Sequence, residues 1–222
     1  MSEPARGWFV TGTDTGVGKS RCAVALLHAL RARHARCVGM KPVAAGLDAN
    51  GDNEDVLALA AAGTQPVPRE RLNPYALPLA ASPHVAAAQV GVEIDLGTIV
   101  RAQRTLAAEA DAVVVEGAGG FLVPLSARED GGDLAQALGL PIVLVVGLRL
   151  GCLNHALLTR DAIRARGLRL AGWVANRLDP SMPAQDENLA YLAEQLPAPR
   201  LADWPWAPAL APRELRFERL PD

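Results

Sequence analysis

Nine residues near the N-terminus, Gly12-Thr-Asp-Thr-Gly-Val-Gly-Lys-Ser20, limit what this chain can become more than any other stretch. An apolar run, residues 7–12, leads into them, and residues 20–33 carry Cys22, Ala23, Leu26, Leu27 and Leu30 at helical spacing. A buried strand, a glycine loop and a helix in that order make a phosphate cradle. Glycines let backbone N–H groups turn inward around anionic oxygens, and the helix N-terminus adds the positive end of its dipole. In such a loop Lys19 reaches β and γ phosphates, and the Ser20 hydroxyl can bind Mg²⁺. Five residues, not the usual four, separate Gly12 from Gly18. A dinucleotide-binding reading fits less well, because the third glycine and the downstream ribose acid are missing.

The rest of the chain repeats the alternation of strand and helix. Residues 37–43 read as a second strand stopped around Lys41-Pro42, and residues 55–62 as a helix closed by Gly63. Residues 64–83 are Pro-rich and irregular, and residues 94–109 read as a helix. Strands follow at 112–116, 141–147 and 168–176, with a helix at 154–166. The tail, 197–212, is rich in Pro and Trp and reads as an ordered wrap. This order predicts right-handed βαβ units and a mostly parallel sheet flanked by helices, in one domain over residues 1–222. Ligands sit at the carboxyl ends of such strands, and Thr11-Gly12, Lys41, Glu116 and Asn176 all fall there.

Composition narrows the partners. The formal net charge is −2 with scattered charges, which argues against a nucleic-acid surface. The apolar stretch 138–148 is too short to cross a bilayer, and no export leader is legible. Three cysteines, Cys22, Cys37 and Cys152, show no CxxC spacing and fit a reducing cytoplasm.

Two side chains stand out against that background. Lys19 and Lys41 are the only lysines in a chain that otherwise uses arginine. An ammonium is a compact point charge that fits among phosphate oxygens where a planar guanidinium does not. Glu116 closes an apolar strand and precedes Gly117-Ala-Gly-Gly120, so its carboxylate can face the loop across the sheet edge and complete a Mg²⁺ shell. Asp55, at a helix start, reads either as a cap or dipole partner or as a further metal contact.

Further motifs complete a recognisable set: Lys41-Pro-Val, Asn73-Pro-Tyr, Ser82-Pro-His, Val115-Glu-Gly-Ala-Gly-Gly, Val146-Gly, Gly151-Cys-Leu-Asn-His155 and Gly172-Trp-Val-Ala-Asn176. In order, from about residue 8 to about 207, they resemble the dethiobiotin synthetase family, down to the five-residue loop spacing. The resemblance implies a P-loop NTPase-like fold and an ATP-dependent cyclo-ligase. Such an enzyme joins 7,8-diaminononanoate and CO₂ (or bicarbonate) into the cyclic urea of dethiobiotin and releases ADP and phosphate.

Position by position, the resemblance gives Gly16, Val17, Gly18, Lys19, Ser20 and Arg21 to the ATP phosphates, with Gly117, Ala118 and Gly119 beside them. It gives Ser20, Asp55 and Glu116 to Mg²⁺. Lys41, Lys19 and Thr15 serve the carbamate and the migrating phosphoryl group. Asn176 and Arg177 meet the adenine with Pro205, Trp206 and Ala207. Gly151, Cys152, Leu153 and Asn154 hold the substrate carboxylate, brought from the neighbouring subunit of a homodimer. Ala45 stands in the substrate segment where the family often has serine. His84 and His155 are expected to make structural hydrogen bonds.

Two alternatives remain beside this reading. A partition-type nucleotide switch often carries a second lysine near the start of the loop, where this chain has Thr13 and Asp14. An ATP-dependent amide ligase with a glutaminase would need a Cys-His segment, and none is evident.

Overall fold

The computed structural model describes residues 5–222. Its centre is a six-stranded sheet in which every neighbouring pair is parallel. The strands are β1 (Arg6–Gly12), β2 (Cys37–Met40), β5 (Ala112–Glu116), β6 (Ile142–Leu148), β7 (Leu170–Arg177) and β8 (Arg200–Trp204), in the order β2-β5-β1-β6-β7-β8. β1 lies between β5 and β6, which carries the glycine loop to the middle of the carboxyl edge.

Both faces of the sheet are covered, so its strands read as continuous apolar runs. Side chains alternate along β1. Trp8 and Val10 join Leu26 and Leu27 of α1 (Lys19–Leu30) and Leu59 of α2 (Glu54–Ala62) on one face. Phe9 turns to the other face with Ile99 and Leu106 of α5 (Leu96–Glu109) and Leu134 of α6 (Gly131–Leu138). Beyond β6 that second layer continues in α7 (Cys152–Ala165) and α8 (Gln185–Gln195), around the buried Trp173.

Three stretches depart from the sequence expectation. The strand expected over 37–43 splits, because the chain leaves the main sheet at Lys41. The Lys41 N–H donates to Leu72 O at 2.9 Å, and Pro42, with no N–H to give, accepts from Tyr75 at 3.0 Å. Residues beyond it form β3 (Val43–Ala45), paired in parallel with β4 (Tyr75–Leu77). The Pro-rich stretch 64–83 is therefore structured: it holds α3 (Arg69–Leu72), β4 and the start of α4 (Pro83–Gln89). The tail contributes the edge strand β8, then a turn of 3-10 helix, Pro212–Glu214. Trp204 donates from its indole to Arg216 O at 2.8 Å and meets Phe217 edge to face, which ties the last residues back to the sheet.

Candidate active site

The loop between β1 and α1 is shaped by its glycines. Gly16 and Gly18 have φ of 74° and 99°, a region that costs other residues strain. A Cβ on Gly18 would also run into the Asn176 amide. No side chain among the described residues caps α1, and its first turn carries no acid. Its leading N–H groups thus point into the loop as donors suited to an anion. Lys19 is nearly buried and curls over the loop, donating to Asp14 O at 3.0 Å. Burial first, then the neighbouring Lys41 ammonium, brings its pKa down to about 8.

Beside the loop lies a compact cluster of charge. Glu116, at the end of β5, is 0 % exposed, and Lys41, just past β2, is 5 % exposed. The Lys41 ammonium donates to Glu116 Oε1 at 2.5 Å and to Asp55 Oδ2 at 2.8 Å. Ser20 Oγ donates to the same Glu116 oxygen at 2.7 Å. Burial pulls the Lys41 ammonium down, but attraction to Glu116 and Asp55 outweighs it and holds it above its ordinary value. Burial likewise lifts the Asp55 carboxyl, and Lys41 reverses that and leaves it below its ordinary value. Burial pushes the Glu116 carboxyl upward, against the opposing pull of Lys41.

The cap of α2 is Asn53, not Asp55. Asn53 Oδ1 accepts from the Asp55 and Val56 N–H groups, and Asp55 spends its carboxylate on Lys41. That removes the capping alternative for Asp55. Asn53 was legible in principle, since an Asn just before an acidic, apolar run is an N-cap signal.

Do these residues suit a hard divalent cation? Mg²⁺ takes oxygen donors and keeps several waters. Ser20, Asp55 and Glu116 offer oxygen only, and Glu116 Oε2 is buried with no hydrogen-bond partner among the described residues. An unpartnered buried carboxylate oxygen is costly unless a cation or donor meets it. The donor set fits the ion.

A cleft of about 740 Å³ opens over the cluster. Thr15, Lys19, Lys41, Asp55 and Glu116 line it together with Ala45, Ser82 and Ala118. That volume is in the usual range for a small-molecule site. Ala45, which also packs against the core around Phe9, is part of its wall, as are Ser82 and Pro83.

The remaining expected residues are held at the margins. Asn176 is buried and donates to Val17 O at 2.9 Å, so its amide fastens the phosphate loop to β7. Arg177 is bound by both oxygens of Asp203, at 3.0 and 2.9 Å, and by Asp186. Arg21 donates to Ala207 O and Leu210 O at 2.6 and 2.9 Å, which draws the segment 205–207 against the first turn of α1. Gly151, Cys152, Leu153 and Asn154 open α7 with no side-chain cap and do not line this cleft. Beside them Leu150 is 88 % exposed. Arg149, in the same turn, pairs with Asp14 of the phosphate loop, a link between distant residues that no local motif announces.

Comparison with known proteins sharpens this geometry. A family model described as an AAA domain matches residues 6–214. The ATP-dependent dethiobiotin synthetase BioD of Nitrosospira multiformis is 56 % identical over 201 residues, 90 % of this chain and 88 % of that one. The protein of the same name from Aromatoleum aromaticum is 52 % identical over the full length of both chains. Among solved structures, the MinC:MinD cell division protein complex of Aquifex aeolicus is similar with a TM-score of 0.58 at 16 % identity, over 93 % of this chain and 83 % of that one. A ParA family ATPase from Chlorobium tepidum gives 0.55 at 11 % identity, over 91 % and 85 %. At such identities these two report the fold alone.

Proposed function

The chain belongs to the ATP-dependent dethiobiotin synthetase family, and from that premise we propose how its residues close the cyclic urea of dethiobiotin. The observation that carries the reading is the buried cluster of Lys41, Asp55, Glu116 and Ser20 at the lip of the phosphate loop.

One amine of 7,8-diaminononanoate adds to CO₂ without help from a nucleophilic side chain, giving a carbamate and a proton. The carbamate oxygen then attacks the γ-phosphorus of ATP, and ADP leaves. The second amine attacks the carbonyl carbon of the mixed anhydride, phosphate departs with the bonding pair, and the ring closes with loss of a proton. Every intermediate is an anion, so the protein's task is to position groups and stabilise charge. Lys19 and the α1 amides hold the β and γ phosphates. Lys41, with Thr15, faces the carbamate and the phosphoryl group in transfer. Ser20, Asp55 and Glu116 would hold Mg²⁺, which neutralises phosphate charge when bound.

In the same proposal Asn176 and the segment 205–207 meet the adenine, supported by the Arg21 clamp that brings that segment to α1. The α7 N-terminus takes the substrate carboxylate across a homodimer interface, which the exposed Leu150 and Leu158 beside it support. The whole chain acts as one domain, since strands from residue 6 to residue 204 share one sheet. Three free, buried cysteines support a reducing cytoplasm as its setting.

Incubation with diaminononanoate, ¹³C-bicarbonate and MgATP tests the reading. The expected result is dethiobiotin carrying one ¹³C, with one ADP formed per ring. ATP hydrolysis without a labelled ring product would contradict it.

A further inference from the structure

The two carboxylates that suit a divalent ion are the two that Lys41 already holds. Its ammonium lies 2.5 Å from Glu116 Oε1 and 2.8 Å from Asp55 Oδ2, almost fully buried. A Mg²⁺ ion sits about 2.1 Å from each oxygen ligand. An ion taken by the free Glu116 Oε2 and by Asp55 lies against an ammonium that already holds Oε1 and Oδ2 of the same two carboxylates. Charge makes the conflict sharper. Lys19 and Lys41 offset Asp55 and Glu116, so a divalent ion entering alone adds two positive charges beside two ammonium groups that are only 6 % and 5 % exposed.

We propose that the Lys41 ammonium is a tethered competitor for the divalent-cation position, bound to Asp55 and Glu116 until metal and nucleotide enter together and turn it out toward the carbamate side of the cleft. This rests on the reading of Ser20, Asp55 and Glu116 as the metal ligands. Its geometric support is that Lys41 lines the same cleft as Thr15 and Ala45, so a released ammonium has open space ahead of it. Three consequences follow from one ion pair. Asp55 and Glu116 are held at a fixed spacing by one ammonium before the metal arrives. Free metal binds poorly, because it must displace an attached cation. The catalytic lysine is delivered to the carbamate only when MgATP is in place, so a carbamate bound without ATP meets an incomplete site. Coupling of this kind is reciprocal: whatever Lys41 costs the metal, the metal costs the Lys41 ion pair.

The experiment titrates Mn²⁺ into nucleotide-free protein and reads free Mn²⁺ by electron paramagnetic resonance. Lys41→Met, which keeps the side-chain length without the charge, should bind Mn²⁺ roughly ten-fold or more tighter than the parent chain, within the usual range of coupling between two binding events. Equal or weaker binding in a variant that unfolds at a normal temperature overturns the proposal.

A second measurement needs no substitution. Lys19 and Lys41 are the chain's only lysines, so ¹⁵N-lysine labelling yields just two side-chain ammonium signals. The one assigned to Lys41 should move or lose its exchange protection when Mg²⁺ and ADP are added. An unchanged Lys41 signal in the loaded protein overturns the proposal whatever the variant does.

Asp55→Asn and Glu116→Gln separate the two layers of the argument. If both bind Mn²⁺ like the parent chain, the ligand assignment falls and the competition falls with it. If both lose Mn²⁺ while Lys41→Met gains nothing, only the competition falls.

Discussion

At the residue scale, a single ammonium illustrates how burial sets chemistry. Lys19 is charged where it is useful and poorly solvated where it sits, which lowers its pKa to about 8. The sign follows from linkage. Below pH 8 the folded protein carries the full penalty of the buried charge. Between pH 8 and the ordinary lysine range the unfolded chain binds more protons than the folded one, so the Lys19 contribution to stability rises with pH. Phosphate oxygens favour the charged form, so ATP binding above pH 8 should take up a proton and weaken as pH rises. Calorimetric titration of ATP at pH 8.5 in two buffers of different ionisation heat checks this, and equal heats would refute it.

Ala45 gives a second residue-scale prediction. Ala45 lines the cleft without a polar group to offer a carbamate. Ala45→Ser should lower KM for the diamine by an amount matching one neutral hydrogen bond, about 0.5–1.5 kcal/mol. Thermal unfolding should not change, because the new oxygen faces the cleft. An unchanged or raised KM would show that the carbamate does not reach this wall.

At the scale of elements, the sequence exposed what is periodic and hid what is held by tertiary contacts. β1, α1, β5 and β6 were legible because buried parallel strands are unbroken apolar runs and α1 has a clean helical stripe. The split at Lys41-Pro42 depends on pairing with Leu72 and Tyr75, some thirty residues on, which no local pattern announces. α6 is only eight residues long and begins with two glycines, which leaves its apolar face too short to stand out, and α8 is polar around most of its surface and shows no strong stripe. β8 was masked by the prolines around it. The site divides in the same way. Gly12 to Ser20 and Glu116 were visible as motifs, whereas the Lys41 ion pairs, the Arg21 clamp and the Arg149–Asp14 link come from residues far apart in the chain.

Asn53 turns this element-level view into a test. Its side chain caps α2 and so fixes the turn that presents Asp55 to Lys41. Asn53→Ala should cost about 1 kcal/mol of stability. For a chain of this size that is roughly 2–4 °C in Tm. Turnover should fall as well, because Asp55 loses its anchor. A variant with normal Tm and normal turnover would mean that α2 is held by packing alone.

On the scale of the whole molecule, fold and function have different witnesses. The fold is shared with a ParA family ATPase and with the MinC:MinD complex, at identities that say nothing of chemistry. What separates this chain from a nucleotide switch is identity above 50 % to dethiobiotin synthetases over 90 % or more of its length. No helix among the described residues is long and apolar enough to cross a membrane.

The central claim is that catalysis here rests on a positioned ammonium, with no nucleophilic side chain taking part. Steady-state turnover and ATP affinity, measured side by side for Lys41→Gln, test it most directly. An interaction made chiefly in the transition state lowers kcat far more than it changes ground-state binding. Lys41→Gln should lose a factor of roughly 10²–10³ in turnover, the scale of one preorganised donor, while MgATP binds at least as tightly as to the parent chain. Lys41→Arg should rescue poorly, because a larger planar fork that pairs strongly with Asp55 and Glu116 does not deliver a compact point charge to the carbamate and phosphoryl oxygens. Near-normal turnover in Lys41→Gln would contradict the account and leave Lys19 as the only cation in the chemistry.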